Sequence, residues 1–207
     1  MAMFQNLSNK LGGGTKFDFL VLDTAHIHPW ETLNFLCVLP FMNQDSWVVL
    51  HDISLPLLST RENDLACRYL FSNVVSDEKL MPVSDIDSYF ANIGAFKITD
   101  DTRKYIGNLF ESLVVEWDAF PFFYDKYIFP CATPMLEEDL NGIRKIIKKY
   151  YPERAEFFEN TVRIQKVIMQ HKVEVYKNWR MTLKRNFPYI VKPVRAVRAL
   201  RKKLMGF

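Results

Sequence analysis

Two aspartates and two histidines follow two short apolar segments of this sequence. Asp23 and His26 come just after the segment FDFLVL, and His51 and Asp52 come directly after WVVL. Carboxylate oxygens are ligands that hard divalent cations prefer. An imidazole near neutrality is suited to take a proton from a hydroxyl group. These residue types therefore indicate a cation site with a proton acceptor beside it, provided that the fold brings the two segments together.

The predicted secondary structure around these residues indicates that the fold brings the two segments together. Segments 17–22 and 47–50 have the near-continuous apolar composition of buried strands, and Trp30 to Met42 has apolar residues close to helical spacing. A strand, a helix and a second strand in this order predict a parallel crossover covered by helices. Neighbouring parallel strands lie about 4.8 Å apart, and open α/β sheets bind ligands at their carboxyl ends. Asp23 and Asp52 are therefore predicted to share one cation.

The remaining chain predicts more strands and then helices only. The expected strands are 79–83 and 92–98, with Gly94 at a bulge or a close contact, and the expected helices are 62–71, 101–115, 134–151 and 153–184. The fold class is predicted to be α/β, a partial doubly wound sheet followed by a helical extension. The predicted domains are 1–130 and 131–207.

The paired motif resembles a known enzyme family. FDFLVLDTAHIHPWETLNFLCVLPFM and WVVLHDI are similar to strand 4, the next helix and strand 5 of class I S-adenosylmethionine-dependent methyltransferases. The resemblance is to the group that includes sugar and macrolide O-methyltransferases. It implies that Asp23 and Asp52 are ligands of a divalent cation such as Mg²⁺ and that His26 is the general base. His51 stands where relatives often have a second acidic ligand. The acceptor implied is a sugar, a glycan or a small hydroxylated molecule.

The resemblance covers the C-terminal half of that family's domain, about residues 10 to 100. The family holds S-adenosylmethionine with a glycine-rich turn after strand 1 and an acid after strand 2. Gly12, Gly13 and Gly14 precede a strand instead of following one. We therefore expect a truncated or remnant domain that binds the cofactor weakly or not at all. We also expect 17–22 to form an open sheet edge, through which the chain self-associates.

Structural roles are the alternative for each of these residues. Asp23 and Asp52 could instead cap loop amides at the strand ends, and His26 or His51 could make a structural hydrogen bond. His28 is predicted to be a surface or loop residue, and His171 a solvated one. The aromatic residues Trp117, Phe120, Phe122, Phe123, Tyr124, Tyr127 and Phe129 are expected to pack in a core or a subunit contact rather than line a pocket.

Charge is distributed unevenly along the chain. Eight of the 27 basic residues lie between Lys184 and Phe207, where there is no acidic residue, so the 24 acidic residues outnumber the basic ones elsewhere. Apolar residues on one side of this tail predict an amphipathic basic helix that contacts an anionic membrane surface. A solvated tail is the alternative. An acidic body without a nucleic-acid-binding motif argues against nucleic acid as a partner.

Two functional hypotheses follow from the sequence. The first is an S-adenosylmethionine-dependent O-methyltransferase, and the second is an inactive methyltransferase-like fragment that acts as an interaction or membrane-surface module. The chain has three cysteines, Cys37, Cys67 and Cys131. Because their number is odd and they lie far apart in the sequence, they favour neither a disulfide framework nor a zinc cluster. The N-terminus has no apolar stretch of signal-peptide length. The predicted location is the cytoplasm, peripheral to the membrane if the tail binds it.

Overall fold

A computed structural model of the 207-residue chain describes residues 16–24, 27–53, 66–81, 92–117 and 135–186. The chain forms two compact units, Met1–Lys166 and Val167–Phe207. The sheet and the helices that pack on it belong to the first unit. The predicted basic helix of the tail and the aromatic residues from Phe120 to Phe129 lie outside the described residues.

Four strands form one mixed sheet. They are β1 (Phe17–Leu22), β2 (Met42–His51), β3 (Lys79–Leu80) and β4 (Ile93–Lys97), in the spatial order β1-β2-β4-β3. β1 and β2 are parallel, whereas β4 is antiparallel to both of its neighbours. The α/β class and the parallel crossover from β1 to β2 are therefore confirmed. Among the described strands, β1 pairs only with β2, so the predicted open edge is also observed.

The helix between β1 and β2 is shorter than predicted, and the following strand is longer. Helix α1 (Trp30–Val38) ends in a 3-10 turn, Leu39–Phe41, which contains Pro40. Proline has no backbone N–H to continue the helical hydrogen bonding. The chain then becomes extended at Met42, whose side chain is buried, and β2 starts five residues before the predicted position.

The later helices are α2 (Ala66–Asn73), α3 (Asp100–Lys104), α4 (Gly107–Ser112), α5 (Glu137–Tyr150) and α6 (Ala155–Asn186), with a 3-10 turn at Pro152–Arg154. The predicted helix 101–115 is thus two short helices. Thr99 caps α3, since its hydroxyl accepts the backbone N–H of Thr102 and the Thr102 hydroxyl accepts the N–H of Thr99.

One face of the sheet carries the core. Val48 and Leu50 of β2 and Phe96 of β4 point to this face and are fully buried. The rings of Phe96 and Phe35 of α1 meet edge to face, with centroids 5.3 Å apart. Gly94 lies on the same face, where a Cβ atom would come within 2.8 Å of Ile53 Cδ1 and 3.0 Å of Phe71 Cε2. The glycine therefore allows close packing of α2 on the sheet, one of its two predicted roles.

Candidate functional site

The carboxyl ends of β1 and β2 bring the sequence-predicted aspartates together. The register pairs Leu22 with Leu50, so Asp23 lies beside His51 at the same edge of the sheet. The Nδ1 atom of His51 is 3.8 Å from Asp23 Oδ1 and 3.1 Å from Asp52 Oδ1. Each of the three residues offers one ligand atom, and these atoms all lie within 4.8 Å of one another. We call Asp23, His51 and Asp52 the strand-end cluster.

The three members of the strand-end cluster differ in how firmly they are held. The Asp52 side chain is only 14% exposed, and Asn92 Nδ2 donates a hydrogen bond to its Oδ1. Its backbone has φ 60°, in the left-handed region that aspartate tolerates better than most residues. The side chains of Asp23 and His51 are 61% and 45% exposed. Asp52 is therefore the anchored member, and the other two face solvent.

Sequence analysis did not identify Asn92 as part of the site. It lies immediately before β4, and its backbone carbonyl accepts a hydrogen bond from Ile53 N at 3.3 Å. The antiparallel pairing of β4 with β2 brings it next to Asp52. No local pattern marks this asparagine, because its role depends on a strand pairing between distant segments.

A buried carboxylate, Glu31, hydrogen-bonds to the residue that follows Asp23. Glu31, in the first turn of α1, is fully buried and accepts a 2.5 Å hydrogen bond from Thr24 Oγ1. Burial raises the pKa of the Cys67 thiol, and the charges of Glu31, Asp52 and Asp23 and a hydrogen bond to Glu31 raise it further. Cys67 is therefore a protonated thiol near the cluster. The only feature of the sequence that could have drawn attention to Glu31 is its position as an acidic residue near the start of a predicted helix.

The other histidines are placed differently. His28 was predicted to be a surface or loop residue. It lies in the turn before α1, but not at the surface: it is 2% exposed, and its ring meets Tyr69 edge to face at 5.3 Å. Burial lowers the pKa of His28 from 6.5 to about 4, and the nearby backbone of Val115 offsets this effect only in part. His171 is exposed, as predicted, and His26 lies outside the described residues.

The donor set fits a divalent cation. Two carboxylates and one imidazole suit Mn²⁺ or Zn²⁺, whereas Mg²⁺ prefers oxygen ligands alone. A site of three protein ligands facing solvent leaves coordination positions for water or a substrate hydroxyl. The described residues do not fit S-adenosylmethionine in the same way. Gly94, Gly107 and Gly142 are the glycines within the described ranges, and none follows the carboxyl end of a parallel strand.

Comparison with protein-family models, curated proteins and solved structures finds no match for this chain. Among the helices in the described parts of the chain, none is both long enough and apolar enough to cross a membrane.

Proposed function

We propose that this chain belongs to the S-adenosylmethionine-dependent O-methyltransferases and carries the part that binds a divalent cation and the acceptor. The observation that carries the proposal is the strand-end cluster, in which Asp23, His51 and Asp52 converge at the ligand-binding edge of a parallel strand pair. The acceptor class proposed is a sugar, a glycan or a small hydroxylated molecule.

The strand order also supports the proposal. The motif resemblance identifies β1 and β2 with strands 4 and 5 of the class I methyltransferase sheet. Strands 4 and 5 are neighbours in that sheet, and here β1 pairs with β2 in parallel. This pairing agrees with the assignment that the two motifs suggest.

The cluster residues have distinct tasks in this proposal. Asp52, oriented by Asn92, would fix the cation, and the exposed Asp23 and His51 would complete its protein ligands. A bound cation supplies Lewis-acid polarisation of an acceptor hydroxyl. His26 is the proposed general base. No step is assigned to the methyl donor, because the described residues do not form its site.

Thermal unfolding with added cations tests the site. A ligand that binds the folded state with a millimolar dissociation constant stabilises it by about 1.4 kcal/mol at tenfold excess, a rise of roughly 3–5 °C. We expect such a rise with Mn²⁺ and a smaller one with Mg²⁺, because of the imidazole ligand. Asp52→Asn and Asp23→Asn should each abolish it.

The matched control is Asp18→Asn, which changes an exposed carboxylate on the same strand as Asp23. Asp18 accepts a 2.6 Å hydrogen bond from Asn43 and lies away from the cluster. This variant should keep the full Mn²⁺ effect. An unchanged midpoint of the wild-type protein in about 10 mM Mn²⁺, a tenfold excess over a millimolar dissociation constant, would leave Asp23 and Asp52 as strand-end caps and would contradict the proposed cation site.

Isothermal titration calorimetry with S-adenosylmethionine tests the other part of the proposal. The expected result is weak or undetectable binding, because the described residues contain no glycine turn after a parallel strand. Micromolar binding with one site per chain would show that the chain forms its own cofactor site.

A further inference from the structure

The face of the sheet opposite the core is apolar and open to solvent. Strand registers place one set of side chains on this face, which we call the open face: Phe19, Val21, Trp47, Val49, Leu80, Ile93 and Ala95. Phe19 is 59% exposed and Ile93 is 46% exposed. Trp47, Val49 and Ala95, in the middle strands, are partly exposed.

The two faces of the same strands differ sharply in burial. Val48, Leu50 and Phe96 alternate with open-face residues and are fully buried. A parallel strand pair normally has both faces covered, and exposed apolar patches of several hundred Å² mark interaction sites in soluble proteins. The open face therefore has the composition of an interface.

The charges on the open face lie at its two ends. At one end, Lys97 Nζ forms ion pairs with Glu78 at 2.9 Å and Asp45 at 3.2 Å. At the other end, Asp23 and His51 of the strand-end cluster continue the β1 and β2 rows. The central row consists of Val21, Val49, Ala95 and Leu80 and carries no charge. An identical face can meet this row without burying an unpaired charge.

We propose that the open face binds the open face of a second copy of this chain and forms a two-fold symmetric dimer. A two-fold contact uses the same patch on both subunits, so the uncharged central row of one copy packs against the uncharged central row of the other. Sheets that pack face to face lie about 10 Å apart, with side chains interdigitated. A two-fold axis perpendicular to the strands keeps the two acidic strand-end clusters at opposite ends of the interface.

The size of the open face indicates a weak dimer. Phe19, Val21, Leu80 and Ile93 are each about half exposed, and with the partly exposed middle strands they leave on the order of 500 Å² of accessible surface on each copy. Two copies would bury roughly 1,000 Å² in total, which is at the low end for specific interfaces. The dimer is therefore expected to dissociate in the micromolar range and to depend on protein concentration.

Sedimentation equilibrium over a range of micromolar concentrations tests the proposal with the full chain. With increasing protein concentration, the average mass of the wild-type protein should rise from that of a monomer to that of a dimer and should not increase further. Ile93→Lys and Phe19→Lys, which place a charge on opposite sides of the patch, should each raise the dissociation constant at least tenfold. Both positions are exposed in the monomer, so circular dichroism should show an unchanged fold.

The matched control is Ile164→Lys on α6, since Ile164 is 49% exposed but is not part of the sheet. This variant should dimerise like the wild type. Ile93 lies on β4, two strands away from the β1 edge, so Ile93→Lys leaves edge pairing unaffected. A monomer at all concentrations, or a dimer that Ile93→Lys does not weaken, would overturn the proposal.

Discussion

His28 is held neutral by its surroundings. Its ring is buried next to Tyr69, and burial lowers its pKa to about 4. In the unfolded chain the same imidazole has a pKa near 6.5. Between these two pH values the unfolded state therefore binds more protons than the folded state at this position, and stability must fall as the pH falls.

His28 should thus make the protein sensitive to acid. At pH 7.5 the group is neutral in both states and has no effect. As the pH drops from 6.5 to 4, it should remove at most about 3 kcal/mol from the free energy of unfolding. Urea unfolding at several pH values measures this loss. In His28→Phe, which keeps an aromatic ring at the position, the pH dependence should be shallower by this amount.

The control for this experiment is His171→Ala, because His171 is exposed on α6. That variant should retain the wild-type pH dependence. Equal slopes for the wild type and His28→Phe would contradict the depressed pKa of His28.

At the scale of elements, a single glutamine joins α6 to the end of α4. Gln165 is buried, and its Nε2 donates to the carbonyls of Leu113, Val114 and Val115 at 3.3, 3.0 and 3.0 Å. Its Oε1 accepts the backbone N–H of Trp117 at 3.0 Å. These residues form the turn that follows α4, which ends at Ser112, so this side chain links that turn to α6. Leu113 O also accepts the indole N–H of Trp117 at 2.7 Å.

Gln165→Leu should therefore lower the free energy of unfolding by about 1–3 kcal/mol, because the buried N–H of Trp117 loses this acceptor and the carbonyls of Val114 and Val115 lose this donor. Chemical denaturation measures the loss. Gln170→Leu, on the exposed side of the same helix, is the control and should change stability by less than about 0.5 kcal/mol. A similar loss in both variants would mean that the helix, and not the hydrogen bonds of Gln165, is sensitive to leucine.

At the scale of the whole molecule, the basic tail is the remaining functional prediction. Residues 187–207 lie outside the described part of the chain. Deletion of residues 192–207 removes six basic residues and should reduce sedimentation with anionic liposomes, because polybasic segments bind negatively charged membrane surfaces. Added salt should weaken binding of the full chain in the same assay. Equal binding to neutral and anionic liposomes would exclude the electrostatic mechanism.

Short-range patterns were sufficient to predict β1, the crossover to β2 and the proximity of Asp23 and Asp52. Each depends on neighbouring residues or on the geometry that all parallel strand pairs share. The same patterns predicted a surface or loop position for His28 and did not predict its burial, because local polarity does not show which residues pack against a turn.

Tertiary structure alone decided the rest of the site and the open face. Asn92 reaches Asp52 because β4 reverses against β2, and Glu31 and Cys67 meet because α1 and α2 lie on the same side of the sheet. Continuous apolar strands predicted burial on both faces, yet Phe19 and Ile93 are exposed. Strand composition shows which faces are able to pack, whereas their burial depends on what other elements, or another molecule, place against them.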